Sequence, residues 1–403
     1  MQKPPRLMTL LNLAHFSDHY CLLIFPTAVL GLAEAWRMSY AEALALGSSG
    51  YIAFALATLP AGWLGDRWGR VETLRLFFPG LTLGLLVTGT ATSALQLSFG
   101  LIVIGLAAAL YHPVATALVV QMTAGSGKAL AVNGLWGNMG VAAAALASGV
   151  ATAELGWRWA FLLPAAAMAT AAVAFELGSR TPLAKADQKG RTDVDPSPGA
   201  ASLAGLSPRR MLVLIGISAL FGGLVFNGVT FALPKLVQER LDAHLTSLTG
   251  LGLVTALTFA IAAFAQLPVG TLLDRYGARL PLLAATGLQA LCLAALWHTQ
   301  GPFSLFLAAF VVLLVFGEIP ITAWLLAQVV APAWQARAYA LQHLLSLGVA
   351  ALTLPMIAGL HGSTGTSTAL FGVLALASLT VCSSAFLLLS RYGDHRTQRA
   401  GAA

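Results

Sequence analysis

The sequence predicts an all-α membrane protein, with twelve transmembrane helices arranged as two pseudo-symmetric six-helix bundles. Three observations carry that expectation. Hydrophobic residues make up 58% of the 403-residue chain and charged residues only 9%, where a soluble protein has about a quarter charged. Apolar runs long enough to cross the ~30 Å hydrocarbon layer as helices fill most of the length, and a helix satisfies its own backbone polar groups there. Landmarks in the first half also return in the second at a shift of 207 or 208 residues.

Bounded by turn residues and charges, the apolar runs cover 8–33, 41–64, 73–93, 96–121, 130–152, 158–177, 210–235, 247–272, 280–298, 302–328, 336–359 and 367–390. The first run, preceded by Lys3 and Arg6, has the charge pattern of a signal peptide. His15, Asp18 and His19 interrupt what would be its apolar core, so it is expected to stay as helix 1. An even number of spans leaves both termini on one side. Of the 22 Lys and Arg, all but Arg37, Arg158, Lys235 and Arg240 fall on that side, which the positive-inside rule makes cytoplasmic. The formal charge of +7 is thus spread through short interhelical loops; it sets orientation and does not imply nucleic acid as a partner. Cys21, Cys292 and Cys382 lie singly inside apolar runs, a spacing that suits neither a disulfide framework nor a zinc site.

From 178 to 208 the chain turns polar, with Lys185, Asp187, Lys189, Arg191, Asp193 and Asp195 and no apolar period. That stretch is expected to be a cytoplasmic linker between bundles 1–177 and 209–390, with a cytoplasmic tail at 391–403. Linker and tail are too short and polar for a folded output domain, which argues against a sensor. The repeat is visible in single residues: Pro26 matches Pro234, Pro113 matches Pro320, and Gly140-Val141 matches Gly348-Val349.

Between runs two and three stands Gly62-Trp63-Leu64-Gly65-Asp66-Arg67-Trp68-Gly69-Arg70, and its counterpart Gly270-Thr271-Leu272-Leu273-Asp274-Arg275-Tyr276-Gly277-Ala278-Arg279 follows run eight. Glycines at 62, 65 and 69 let helix ends approach neighbouring backbone, Asp66 can face a helix N-terminus, and Arg67 and Arg70 can pair with carboxylates or lipid phosphate. Pattern and position resemble the loop signature Gly-x-x-x-Asp-Arg-x-Gly-Arg of the major facilitator superfamily. The resemblance spans the whole chain. It implies the major facilitator fold, secondary transport, and a substrate site near the midplane between halves. It also implies a conformational role for Gly62, Asp66, Arg67, Gly69 and Arg70, tying helix 2 to helix 11 and favouring the outward-open state. The second set, Gly270, Asp274, Arg275 and Gly277, is expected to act more weakly, since Ala278 replaces the last motif arginine. No Gly-x-Ser-x-Gly, His-Glu-x-x-His or phosphate-cradling loop occurs, so neither an enzyme nor a cofactor is expected.

Ionisable groups at membrane depth are the candidate chemistry. Asp18 lies roughly 15 Å along helix 1, where an unpaired charge facing lipid costs several kcal/mol. His15, Asp18 and His19 fall within one ~100° arc and are expected to face a common aqueous pathway. A carboxyl group there can carry a proton, and an adjacent histidine can exchange it near neutral pH. Asp18 is therefore the expected carrier; the alternative is a static pair with His15 that fixes packing. In helix 4, Tyr111-His112-Pro113 combines a histidine with a proline break of the kind membrane helices tolerate where they line a cavity.

His15-x-x-Asp18 with Pro26, Tyr111-His112-Pro113, Gly125-Ser126-Gly127 and Gly134-x-x-Gly137-x-x-Gly140 together resemble the fosmidomycin-resistance branch of drug exporters. These motifs cover helices 1, 4 and 5 and the loop between the last two. The resemblance implies a monomeric antiporter in the bacterial cytoplasmic membrane that exports a drug-like solute in exchange for protons. One departure bears on direction: exporters often carry a proline-containing glycine motif in helix 5, and none occurs between Gly134 and Gly149.

In the second half, Asn227 takes the register of His19, Glu318 falls close to that of His112, and Gln342 and His343 lie in helix 11. Glu318-Ile319-Pro320 is expected to copy the helix 4 break and to add a second proton- or substrate-binding carboxyl, unless it pairs with His343. Tyr20, Tyr111, Phe226, Asn227, Trp324, Gln342 and His343 are the expected cavity set, the aromatics having packing as their alternative. Trp36, Trp63, Trp68, Trp157 and Trp159 read as interfacial anchors. Mostly apolar helices suggest an amphiphilic or apolar solute, and the lack of arginine at helix centres argues against large anions. Two further readings stay open: import, or carriage of a transition-metal ion or complex on His15, Asp18, His19 and His112.

Overall fold

The computed structural model describes residues 5–123, 127–179, 208–241, 247–301, 303–330 and 335–389. The greater part of the expected linker, the whole tail and Gly125-Ser126 lie outside them. Among the described residues, twelve helices are long and apolar enough to cross a membrane: α1 (Leu7–Trp36), α2 (Tyr40–Trp68), α3 (Arg70–Gly89), α4 (Ala94–Thr123), α5 (Lys128–Leu155), α6 (Trp159–Gly178), α7 (Arg209–Leu241), α8 (Leu248–Leu273), α9 (Arg279–His298), α10 (Phe303–Val329), α11 (Arg337–Thr364) and α12 (Thr368–Leu387). Every expected span is present in order. Their outer faces carry exposed leucines and phenylalanines such as Leu56, Leu291, Phe306 and Leu352, the surface a lipid-facing helix requires.

The two halves repeat one set of packings. α3 packs on α4 and α6 as α9 packs on α10 and α12, and α2 meets α4 as α8 meets α10. Without a hydrophobic drive between helices in lipid, such contacts rest on close packing and interhelical hydrogen bonds. The α1–α5 seam shows how: a Cβ added at Gly140 would overlap the carbonyl of Phe16, so only glycine allows this approach. Its counterpart in the α7–α11 seam is Gly223, which abuts the backbone of Ser346 in the same way. Across the molecule the halves meet through α5 with α8 and α2 with α11, two contacts that the repeat exchanges.

Several spans break at mid-depth. α1 is interrupted at Ile24 before Pro26, and α4 turns at Ala109–Leu110. Ala109 is the i−4 residue of Pro113, where the proline ring clashes with the helical carbonyl. α7 widens into a π-helical turn over Ser218–Gly222, and α11 loosens at Leu347–Val349. The break expected at Pro320 is not found, since α10 runs unbroken through it. Phe316, the residue one turn back, is fully buried with its ring 5.8 Å from Phe226 and 5.7 Å from Phe259; that packing holds the helix in line despite the missing hydrogen bond.

Both ends of the interface between halves are bridged. On the face carrying the glycine motifs, Arg337 Nε of α11 lies 3.6 Å from Asp66 Oδ2 of α2. On the opposite face, Tyr40 of α2 lies between the Lys235 ammonium, 5.3 Å from its ring, and the His361 ring at 5.2 Å. His361 Nε2 and the Ser367 backbone N–H and hydroxyl lie 3.0–3.2 Å from the Glu239 carboxylate, which joins α7 to the α11–α12 corner.

Candidate functional site

The π-helical turn of α7 and the loosened stretch of α11 line one cavity between the halves, with about 130 Å³ of space for the centres of water molecules, room for roughly ten waters. Its N-half wall comes from α1, α4 and α5 and its C-half wall from α7, α8, α10 and α11. Among the described residues it is lined by no lysine or arginine, and by one carboxyl group, Glu318. Most of the exposed lining is apolar, as expected, but the expectation of few polar groups is corrected: four histidines, Glu318 and several amides and hydroxyls also line the space. Composition over whole helices averages this away, because each helix turns its few polar residues inward.

Histidines 15, 19 and 112 form a cluster with ring centroids 4.9, 5.2 and 5.3 Å apart. α1 supplies the first two, one turn apart, and the α4 turn brings the third to them. His15 is fixed by α5: its Nδ1 lies 2.8 Å from the Asn133 carbonyl, to which it must donate, and 3.0 Å from Asn133 Oδ1. Asn133 Nδ2 donates to Asn12 Oδ1 at 2.8 Å, so the amide orientation is set from both sides. Tyr111 stacks on His15 at 5.0 Å and donates its hydroxyl proton to the Leu11 carbonyl at 2.9 Å. It is a buried support and not a wall residue.

Asp18 does not face the cavity. Its side chain is 0% exposed and lies behind His112, with Oδ2 2.9 Å from His112 Nε2. The approach is close but poorly aligned as a hydrogen bond, since neither carboxylate oxygen nor His112 Nε2 has a partner of acceptable angle. The expectation that His15, Asp18 and His19 share the pathway is corrected for Asp18. Around the helix it sits at one edge of the arc, turned toward α4, while His15 and His19 fill the rest. The alternative pair with His15 is corrected too, because the partner is His112.

The second half supplies His343 and Glu318. His343 stacks on His112 at 4.8 Å across the interface, and its Nδ1 lies 2.7 Å from the Tyr339 carbonyl. Glu318 Oε2 accepts from Gln289 Nε2 at 2.9 Å, and Gln289 Oε1 accepts from the Ser378 hydroxyl at 3.0 Å. The partner of Glu318 is therefore Gln289 rather than His343. The carboxyl borders the π-helical turn, a feature frequent at functional sites, against Gly222.

Of the expected cavity residues, Phe226, Gln342 and His343 line the space. Asn227 does not; its Nδ2 donates to the Gly223 and Ser346 carbonyls at 2.7 and 2.9 Å and ties α7 to α11. Trp324 is buried in packing, and Tyr20 stacks on Phe16 at 6.0 Å, away from the lining. Sequence reasoning passed over Asn133, Asn138, Ser218 and Gln266. Each is a lone polar residue in an apolar run, and that isolation was the available signal. Gln266 through both amide atoms, Asn138 Nδ2, Ser218 Oγ, Gln342 Oε1 and His19 Nδ1 are buried without a protein partner among the described residues. Such groups call for water or a ligand.

In the loop motif, Arg70 Nη1 donates to Gln121 Oε1 of α4 at 2.5 Å, and the Arg67 guanidinium lies 5.3 Å from the Trp63 ring. Gly69 turns the chain from α2 into α3 at φ 114°, a conformation that strains any residue with a side chain. Gly277 repeats the turn at φ 75°, Arg275 lies 5.1 Å from the Tyr276 ring, and Gly62 and Gly270 are buried in their helices. The side chain of Asp274 lies outside the description.

No curated protein matches the sequence. Among solved structures, the human organic anion transporter MFSD10 (TETRAN) is similar at a TM-score of 0.69 and 16% identity, covering 95% of this chain and 100% of that one. The proton:xylose symporter XylE bound to 6-bromo-6-deoxy-D-glucose gives 0.70 at 15% identity, covering 95% and 94%. The E. coli xylose transporter XylE in a partially occluded inward-open conformation gives 0.70 at 14%, covering 96% and 99%. At such identities the likeness is one of fold, and the fold is that of a transporter. The Major Facilitator Superfamily profile matches residues 10–251 and 241–403, and the chain belongs to that superfamily.

Proposed function

We propose that the chain is a proton-coupled secondary transporter that exports a small polar organic solute in exchange for protons, by alternating access of a single central cavity. The observation that carries the reading is the cavity itself. It lies between the halves, has contacts between them on either side, and gathers Glu318, His15, His19, His112 and His343 with Asp18 behind His112. Acid and imidazole side chains in contact can pass a proton. Rocking of the halves would expose them to each face in turn.

The resemblance to drug exporters in α1, α4 and α5 supports export, and a proton:xylose symporter of the same fold supports proton coupling. The lining favours a neutral or cationic solute with several hydrogen-bonding groups. Among the described residues no lysine or arginine lines the wall, so an organic anion of the kind named for the human relative finds no fixed counter-charge there. We further assign bundles 1–177 and 209–390 joined by the linker 178–208, a tail at 391–403, both termini cytoplasmic, a bacterial inner membrane and a monomeric unit. The basic residues of the loops support the orientation.

Substrate-dependent proton flux in proteoliposomes tests the reading, with wild type beside Asp18→Asn. Flux in the wild type, and its loss in the variant with solute binding retained, is the expected result. Equal flux in both would overturn the coupling role of Asp18, and solute movement insensitive to a proton gradient would overturn proton coupling.

A further inference from the structure

The three N-half histidines have a property that proton exchange does not require. In each of two, one ring nitrogen lies against an oxygen behind it, by a hydrogen bond in His15 and by a close but poorly aligned approach in His112. His15 commits Nδ1 to Asn133, so Nε2 carries the lone pair. His112 Nε2 lies 2.9 Å from the Asp18 carboxylate. His343, stacked on His112, repeats the pattern with Nδ1 on the Tyr339 carbonyl. A carboxylate or carbonyl behind the ring is the usual outer shell of a metal-binding histidine; it fixes the tautomer and makes the free nitrogen a better donor. His19 adds the complementary feature, a buried Nδ1 with no protein partner.

One nitrogen from each of His15, His19 and His112 lies within 4.8 Å of the others. A tetrahedral ion bound at ~2.1 Å sets its donors about 3.4 Å apart, so the rings must close in by roughly 1.5 Å. Rotation about side-chain torsions can supply that movement in a cavity with room for waters. Three imidazoles with an open fourth position suit a late first-row divalent cation, whereas magnesium and calcium prefer oxygen donors.

We propose that His15, His19 and His112 bind a divalent transition-metal ion such as Zn²⁺ as cargo, free or held in an organic chelate, with Asp18 as the positioning residue behind His112. Cargo fits the location. The site is in the wall of the central cavity, beside an imidazole of the other half, so rocking would change its fourth ligand. The Gln266 and Gln342 amides across the cavity can bind the polar groups of a chelator. The inference rests on the reading of this cavity as the transport site.

The test uses the full-length chain, purified without a histidine tag and titrated with Co²⁺ and then Zn²⁺. One equivalent of Co²⁺ with the visible bands of a tetrahedral complex, displaced by Zn²⁺, is expected. His19→Ala and His112→Asn should each weaken binding at least ~10-fold, and Asp18→Asn ~10–100-fold, as loss of an outer-shell partner does; unchanged elution from a sizing column shows that the variants fold. No binding, or binding that survives His19→Ala with His112→Asn, overturns the site. Proteoliposomes loaded with a zinc-sensitive dye then decide cargo. Movement of Zn²⁺ alone supports the free ion, movement only as the zinc–citrate complex supports a chelate, and neither overturns cargo. Solute-driven proton flux in a chain that binds no metal would remove this proposal and leave the transport reading intact. Metal movement without proton movement would support this proposal and overturn proton coupling.

Discussion

His112 of α4 lies between two partners, the Asp18 carboxylate 2.9 Å behind it and the His343 ring of the other bundle stacked 4.8 Å in front. The first contact stays within one half, whereas the second joins the halves. Alternating access must break the second while the first persists, so a proton gained or lost by the Asp18–His112 pair changes a contact that the moving bundles share. That is a physical route from protonation to conformation.

This geometry fixes what Asp18→Asn should do. The asparagine keeps the shape but cannot hold the charge, so the pair no longer has two protonation states to report. Coupling energies between sites commonly amount to ~5–150-fold in affinity. The change in solute Kd between acidic and alkaline buffer should be of that order in the wild type and flat in the variant. Equilibrium binding over a pH series measures it, and an unchanged pH dependence would mean that the proton is carried elsewhere.

Glu318 makes a separable case, because Gln289 already holds one of its oxygens at 2.9 Å. In Glu318→Gln the amide oxygen can still accept that bond, so stability should stay within ~1 kcal/mol of wild type. A cationic solute, however, loses a charged acceptor worth about 1.5–3 kcal/mol. Thermal unfolding in detergent beside binding of a cationic solute and its neutral analogue separates the two effects; equal losses for both ligands would rule out direct charge recognition.

The fold was legible because its signals are local and additive. Length and apolarity of runs fix the spans, and the loop signature fixes their register in two halves. The Pro113 break could be placed from one residue, since the clash it makes lies at a fixed i−4 distance. What the helical wheel gives is an arc on α1 and not the neighbour that each edge of the arc meets. His15 and His19 line the cavity, while Asp18, at the edge, meets α4 and lies behind His112. The same limit hid Gln289 and Asn133: their importance comes from partners 29 and 118 residues away, a distance over which no periodicity carries information. Pro320 failed for the converse reason, because packing around Phe316 overrode a local rule.

Asp66 and Arg337 bring α2 and α11 together at 3.6 Å, with Arg337 more than half exposed. A pair in that setting contributes only ~0–1 kcal/mol to stability, so Arg337→Ala should leave the melting temperature nearly unchanged. A conformational equilibrium is more sensitive, since 1 kcal/mol alters a population ratio about fivefold. Spin labels on the motif-face ends of α2 and α11 should show a larger share of long distances in the variant. An unaltered distance distribution would remove this pair from the conformational lock.

Two glycines of α5, one turn apart, separate packing from function. A Cβ at Gly137 would come within 2.6 Å of His15 Nε2, the far end of a side chain that can rotate, whereas one at Gly140 would overlap the Phe16 carbonyl, which can move only with α1. Gly140→Ala is therefore an overpacking change of the helix seam, expected to cost ~1–3 kcal/mol and to lower the melting temperature and the folded yield. Gly137→Ala should leave stability close to wild type but turn His15 off Asn133 and spread the histidine cluster, so that transport falls while the protein still elutes as a folded species. Melting curves beside solute-driven proton flux test the pair of variants, and the contrast is the prediction. Two stable, active variants would show that the α1–α5 seam is looser than its backbone approach indicates, and two unstable ones would show that His15 is fixed by packing rather than free to move for transport.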